Sequence, residues 1–251
     1  MNLHKLTKFI DDYLDIGAIE DSCPRGLQVE GAENVTKIVC GVSACVQLFN
    51  EAVARDANAI LVHHGMFWDS DPKVVRGSLK QRLKILLDND ISLIGYHLAL
   101  DRHPEVGNNI QIAERLDLVD PEPFADYNGK PISYIAKTKD PIPTADFIDV
   151  VKDRINPDLR HYAFGPDEIN SVAILSGGAP RFVREALDRG ADLFLTGEDT
   201  ESIYHLSKEE GIHFVSAGHH ATERFGVIAL GEMLERKFDI EVEFVDIPNP
   251  I

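Results

Sequence analysis

The stretch Ala59-Ile60-Leu61-Val62-His63-His64-Gly65 reads as a short apolar strand with two histidines and a glycine at its end. The sequence around it keeps the same rhythm. Residues 35–42 read as a buried strand ended by Gly41 and Ser43, and residues 44–55 as a helix. Residues 79–88 read as a helix, and residues 91–96 as a strand that leads into His97-Leu98-Ala99-Leu100-Asp101. Upstream, Leu3, Leu6, Phe9, Ile10 and Leu14 recur at helical spacing, before Pro24-Arg25-Gly26 breaks the chain. Downstream, residues 108–116 read as another helix. Strands alternating with helices predict an α/β protein with mainly parallel strands.

Residues 117–145 change character, punctuated by Pro121, Pro123, Gly129, Pro131, Pro141 and Pro143. This is the expected boundary between two lobes, 1–124 and 125–251. Within and beyond it, residues 132–137 read as a strand and residues 144–155 as a helix capped by Thr144. The first pattern then returns. Val172-Ala173-Ile174-Leu175-Ser176-Gly177-Gly178 is a strand ending in glycines, residues 180–189 a helix, and residues 191–195 a strand ending at Thr196-Gly197-Glu198-Asp199. Residues 51–60 echo residues 185–194, and both His97-x-x-x-Asp101 and His219-x-x-x-Glu223 follow a strand-like run. We read this as an internal duplication of a β-α-β-α-β unit. A helix over 225–237 and a strand over 240–245, expected to pack on the first lobe, precede the tail Pro248-Asn249-Pro250-Ile251.

Charge narrows the functional classes. Lys+Arg number 25 against 42 Asp+Glu, a net charge of −17 that disfavours a broad nucleic-acid surface. No run approaches the ~18 apolar residues of a membrane span, and Asp11, Asp12 and Asp15 interrupt the region where a signal peptide would be apolar. Cys23, Cys40 and Cys45 form no C-x-x-C pair and read as small buried hydrophobes in a reducing compartment. The expected setting is cytoplasmic.

Six of the ten histidines fall in three stretches, 63–64, 97–103 and 219–220, each just past a predicted strand. Ligands of open α/β sheets bind at that end. The stretch Gly218-His219-His220-Ala221-Thr222-Glu223 opens a helix, which places His219 and Glu223 on one face. His63 and His64 point to opposite faces of an ideal strand, unless Gly65 lets the backbone turn. Two imidazoles diverging from one turn suit two metal ions joined by a carboxylate, Asp101 or Glu223. Two-metal sites hold ions about 3.5–4 Å apart and activate a bridging water or clamp a displaced oxygen. The expected metal ligands are His63, His64, Asp101, His219 and Glu223.

His97 is either a further ligand or a partner to a neighbouring carboxylate. Glu198 is a general base, a carboxylate that orients a ligand, or a charge at the start of the helix beginning near Thr200. Both are the candidates for moving protons. His220 points away from the His219/Glu223 face, and His103 lies in a polar, solvent-exposed loop. No thiolate is near by motif, so the site is expected to hold only N and O ligands. Ser176-Gly177-Gly178-Ala179-Pro180 suits either an anion-binding turn or a tight structural turn. There is no G-x-x-x-x-G-K-[ST], G-x-S-x-G or G-x-G-x-x-G after a strand.

Taken together, Leu61-Val62-His63-His64-Gly65, Gly95-Tyr96-His97-x-x-x-Asp101, Thr196-Gly197-Glu198 and Gly218-His219-His220-Ala221-Thr222-Glu223-Arg224 resemble one family. It is the Nif-three-like dinuclear metal-binding family, often labelled GTP cyclohydrolase I type 2 homologues. Gly26-Leu27-Gln28-Val29 and Ile247-Pro248-Asn249-Pro250 fit as well, so the resemblance spans nearly the whole chain. It implies two interlocked α/β lobes with mixed, mainly parallel sheets. It also implies two divalent ions per chain (Zn, Fe, Mn or similar) on His63, His64, Asp101, His219 and Glu223, and a toroidal homohexamer. Some family members carry an extra domain between the lobes, for which this chain is too short.

The activity expected is metal-dependent hydrolysis of a small molecule, a nucleotide among the candidates. Arg102 and Arg224 are the nearest cations for such a substrate, and no substrate-binding residue is assigned. The competing expectation is a non-enzymatic metal-binding oligomer that acts as a scaffold or regulator.

Overall fold

The apolar runs of the sequence pair through their backbones into two mixed sheets. The structure, a computed structural model, describes residues 1–251. In chain order the strands are β1 (Gly26–Val29), β2 (Lys37–Ser43), β3 (Ala59–His64), β4 (Ser92–Gly95), β5 (Val119–Tyr127) and β6 (Lys130–Pro143). They continue with β7 (Arg160–Tyr162), β8 (Glu168–Leu175), β9 (Leu193–Thr196), β10 (His213–Ser216) and β11 (Glu241–Phe244). One sheet has the order β1-β4-β3-β2-β11 and the other β5-β6-β8-β9-β10-β7.

The chain divides into two units. The first comprises Met1–Val106 and Gly226–Pro248, the second Gly107–Phe225 and Asn249–Ile251. The C-terminal helix Arg224–Lys237 falls almost wholly in the first unit, with β11 beside β2. In the first unit β4, β3, β2 and β11 run parallel, with β1 antiparallel at the edge. In the second, β8, β9 and β10 run parallel, flanked by antiparallel β6 and β7. Strand–helix–strand–helix–strand connectivity is therefore the same in β2-β3-β4 and β8-β9-β10, each closed by a short antiparallel strand beyond the third.

The position expected for the lobe boundary, after residue 124, falls inside β5. The proline-rich stretch is a hairpin, not a linker. Asn128 and Gly129 both have positive φ, 53° and 79°, the conformation of a two-residue type I′ turn. β5 is an edge strand, where proline forfeits no inner ladder bond. On β6, Pro131 and Pro143 sit near its ends, and Pro141 falls where the register with β8 shifts between Lys137 and Ile142. Thr144 does not cap the following helix, Thr144–Arg154. Its hydroxyl donates to Pro166 O at 2.9 Å, and Pro143 holds the cap position. The short edge strands β1 and β7 have too few residues to show a period in the sequence.

Each unit has its own core. In the first, Val39, Ile60, Val62 and Leu93 of the sheet pack with Leu48 and Phe49 of the helix Val46–Ala54. In the second, Val172, Ile174, Leu193, Leu195 and Val215 pack with Phe147, Ile148 and Val151 of the helix Thr144–Arg154. Phe194 of β9 also lies edge-on to Phe124 at 6.1 Å and to Phe214 at 5.7 Å, all three buried. Replacing it with alanine, Phe194→Ala, removes both aromatic contacts and leaves a cavity. Urea unfolding of the second unit should show a loss of about 3–5 kcal/mol.

Candidate metal centre

In the first unit the register Val62↔Gly95 brings the carboxyl ends of β3 and β4 side by side. His63 and His64 are the last two residues of β3, so the strand's pleat turns them apart. His63 Nδ1 lies 3.0 Å from Tyr96 O, beyond β4, and His64 Nδ1 lies 3.0 Å from Ser43 Oγ, at the end of β2. Their ring centroids are nevertheless only 4.7 Å apart. A carbonyl only accepts, so His63 Nδ1 carries the hydrogen and Nε2 the lone pair. That Nε2 is 3.6 Å from Asp101 Oδ2, and both side chains are buried. Asp101 ends the short helix Leu98–Asp101, one turn after His97.

His97 completes this set. Its ring lies 5.0 Å from that of His63 and 5.6 Å from that of His64, and donor atoms of the three lie within 4.8 Å of one another. The indole of Trp68, the chain's single tryptophan, stands edge-on to His97 at 5.2 Å and 6.0 Å from His64. Asp21 is 2.8 Å from His97 Nδ1. Burial pushes the Asp21 carboxyl up, but hydrogen bonds from His97, Leu98 and Ser22 outweigh it and hold it below the usual carboxylate range. Cys23 also belongs here: its sulfur lies within 4.8 Å of donor atoms of Asp21 and His97. No motif in the sequence pointed to Cys23, because sequence distance concealed it; the expected ligands were N and O donors alone. Burial, with Asp21 adding to it, pushes this thiol up to about 12, so Cys23 brings no thiolate charge of its own at neutral pH.

In the second unit the register Leu195↔Val215 and Thr196↔Ser216 places Glu198 beside His219. His219 Nδ1 lies 2.5 Å from Glu198 Oε1, and its Nε2 lies 3.0 Å from Glu223 Oε2, one helical turn on. Burial opposes charge on this imidazole. The carboxylates of Glu223 and Glu198, one on each nitrogen, overcome it and raise His219 to about 9. Glu198 thus partners His219, and no side chain caps the helix Glu201–Glu210. The loop after β8 closes over these groups. A Cβ on Gly177, whose φ is +68°, would lie 2.3 Å from Glu223 Oε1, and one on Gly197 would lie 2.6 Å from the His219 backbone. Ser176-Gly177-Gly178 is therefore a close-approach turn facing carboxylates, a poor place for an anion.

The remaining sequence candidates fall elsewhere. His103 is buried rather than solvent-exposed: Nε2 donates to Tyr13 O at 3.1 Å, and Nδ1 accepts from the Glu105 and Val106 amides. Burial lowers its pKa. His220 is buried, and its amide bonds to Ile251 O. Arg224 donates to Ile155 O and lies over the Phe225 ring, so it is not positioned as a substrate clamp. Sequence reading passed over a different cation, Arg160 of β7, which pairs with Asp199 at 3.0 Å while Tyr162 OH holds the other carboxylate oxygen. Only the β7–β10 pairing, invisible in a three-residue strand, brings it there.

These donor sets suit a divalent metal. Metal–ligand bonds of about 2.0–2.2 Å put two ligands of a tetrahedral ion about 3.4 Å apart. The His63 Nε2 to Asp101 Oδ2 separation of 3.6 Å is close to that. Buried imidazole with carboxylate is the chemistry of Zn, Mn or Fe(II).

An α/β protein whose two mixed sheets each end in an imidazole–carboxylate pair is thus defined by fold and side chains. The chain belongs to the family described as Duf34/NIF3 (NGG1p interacting factor 3), whose model matches residues 1–250. It is 45% identical over 248 residues to a "GTP cyclohydrolase 1 type 2 homolog" of Pseudomonas aeruginosa, covering 99% of this chain and 98% of the relative. Among solved structures it is similar to protein ybgI, of unknown function, with 42% identity, full coverage of both chains and a TM-score of 0.95. A protein from Thermus thermophilus matches with 32% identity, full coverage of both chains and a TM-score of 0.92. No helix is long and apolar enough to cross a membrane.

With its pKa near 9, His219 is an imidazolium at neutral pH. An ion that takes a His219 nitrogen must displace a proton. Metal affinity should therefore rise with pH from 7 to about 9 and then level off. Calorimetry at pH 7.5 in buffers of different ionisation heat should show proton release on binding. An affinity that does not change with pH over this range would contradict the assignment.

Proposed function

We propose that the protein is a metal-dependent hydrolase acting on a small molecule, with His63, His64, Asp101, His219 and Glu223 holding two divalent ions per chain. The observation that supports this most is the donor chemistry: imidazoles oriented through Nδ1 by Tyr96 O and Ser43, a buried Asp101, and His219 set between two carboxylates. Divalent ions there supply Lewis-acid polarisation and neutralise charge at the reacting bond.

The chain's own groups handle protons and water. Glu198 accepts a hydrogen bond from His219 Nδ1, the position of a general acid–base carboxylate. His97, within reach of the His63/His64 pair, is the second proton carrier. The Trp68 ring packs beside His64 and His97. The name of the relatives, GTP cyclohydrolase 1 type 2 homolog, makes a purine nucleotide the first substrate class to try. A net charge of −17 repels such an anion at long range, so bound ions carry its attraction. Three free cysteines suit a reducing, cytoplasmic setting.

Elemental analysis of purified protein should find about two ions per chain, the stoichiometry of a two-metal site. The double variant His219→Ala, Glu223→Ala should lower that content. Titrating Mn into metal-stripped protein should quench the emission of Trp68. Loaded protein should hydrolyse at least one member of a panel of nucleotides, phosphoesters and amides. Metal content well under one ion per chain overturns the reading. Full loading with no turnover across the panel favours the scaffold or regulatory role.

Self-association into a ring-shaped hexamer, implied by the family resemblance, is part of the same proposal. Light scattering in solution should give a particle six times the 27.9 kDa chain, and a monomer would exclude it.

A further inference from the structure

Asp21 is the most deeply buried carboxylate beside the first donor set, and it is not among the proposed ligands. Its side chain is 1% exposed, in the loop that follows the turn Ile16–Ala18. Both oxygens are committed. Oδ1 lies 2.8 Å from His97 Nδ1 and accepts the Ser22 amide at 2.8 Å, while Oδ2 accepts the Leu98 amide at 2.9 Å. Leu98 is the first residue of the helix Leu98–Asp101, and His97, at its cap position, makes no side-chain cap bond. Asp21 therefore caps from a distance the turn that carries Asp101, and with the same carboxylate it grips the imidazole preceding that turn.

The chemistry of the pair fixes a proton. An ionised carboxylate only accepts, so the hydrogen of a neutral His97 must sit on Nδ1. Nε2 is then the ring's one acceptor. The surrounding contacts limit its rotation: His63 and His64 flank the ring, Trp68 stands edge-on to it, and the Leu98 amide anchors Asp21. A histidine with one nitrogen held by a buried carboxylate is fixed in tautomer and ring orientation.

We infer that Asp21 is a positioning residue: it holds His97 in the Nδ1–H tautomer, with Nε2 as the proton acceptor of the His63/His64 donor set. The inference rests on the proposed metal centre and assigns the residue that makes His97 competent there. A purely structural Asp21 would cap the Leu98–Asp101 turn and leave the His97 tautomer to chance.

The test reads that tautomer directly. Zinc-loaded protein labelled with 15N-histidine is studied by solid-state NMR, with the His97 signals assigned by their loss in a His97→Asn variant. In the wild type, essentially all of His97 should carry its hydrogen on Nδ1. In Asp21→Asn the amide offers a single acceptor oxygen to three donors, and the Nδ1–H form should fall to a minority. A wild-type His97 protonated on Nε2 overturns the inference, as does an Asp21→Asn protein whose His97 tautomer is unchanged. If Asp21→Asn fails to fold, the wild-type spectrum alone decides. The readout needs no turnover, so absence of hydrolysis would defeat the hydrolase reading without touching this result.

Discussion

Side-by-side parallel pairing is the constraint on which both donor sets depend. Parallel strands need crossover helices, so their carboxyl ends all finish on one edge of the sheet. In the first unit the pairing Val62↔Gly95 sets the end of β3, with His63 and His64, against the end of β4 and the turn bearing His97. In the second, Thr196↔Ser216 does the same for Glu198 and His219. A slip of one residue in either ladder would turn every side chain to the opposite face. The buried cores on the helix-covered faces resist that slip.

Charge is the second constraint. Ionisable groups are rarely buried without partners, because desolvation disfavours the charged form. Asp21 and His219 are answered locally. Three hydrogen bonds hold Asp21 ionised against its burial. Two carboxylates hold His219 protonated against its own. The glycines at 177 and 197 are part of the same solution, since a side chain at either would occupy the space taken by Glu223 or the His219 backbone. Cys23 shows the opposite case: with burial and a nearby carboxylate both acting against ionisation, it stays a thiol.

Much of this was legible in the chain itself. Apolar runs bounded by glycine marked β2, β3, β4, β8, β9 and β10, because a strand buried on both faces has few alternatives. The i,i+4 spacing of His219 and Glu223 gave their contact, a property of one helical turn. The proline-rich region was misread for a physical reason. Proline argues against an inner strand but is tolerated on an edge and at a register shift, and those conditions are set by neighbours. The Asn128-Gly129 pair was the available signal for a hairpin. His103 looked exposed because its neighbours are polar, yet Tyr13 O and two amides satisfy it in the interior.

The sequence by itself determined the α/β class, the duplicated strand–helix pattern and the residue types of a candidate metal centre. These follow from periodicity and side-chain chemistry, which act over a few residues. Only the tertiary structure decided which groups surround those residues: Asp21 and Cys23 beside His97, Ser43 against His64, Glu198 on His219, and Arg160 on Asp199. Each of these contacts joins residues far apart in the chain. Strand pairing and burial create them, and no local pattern records which distant loops a sheet brings to one edge.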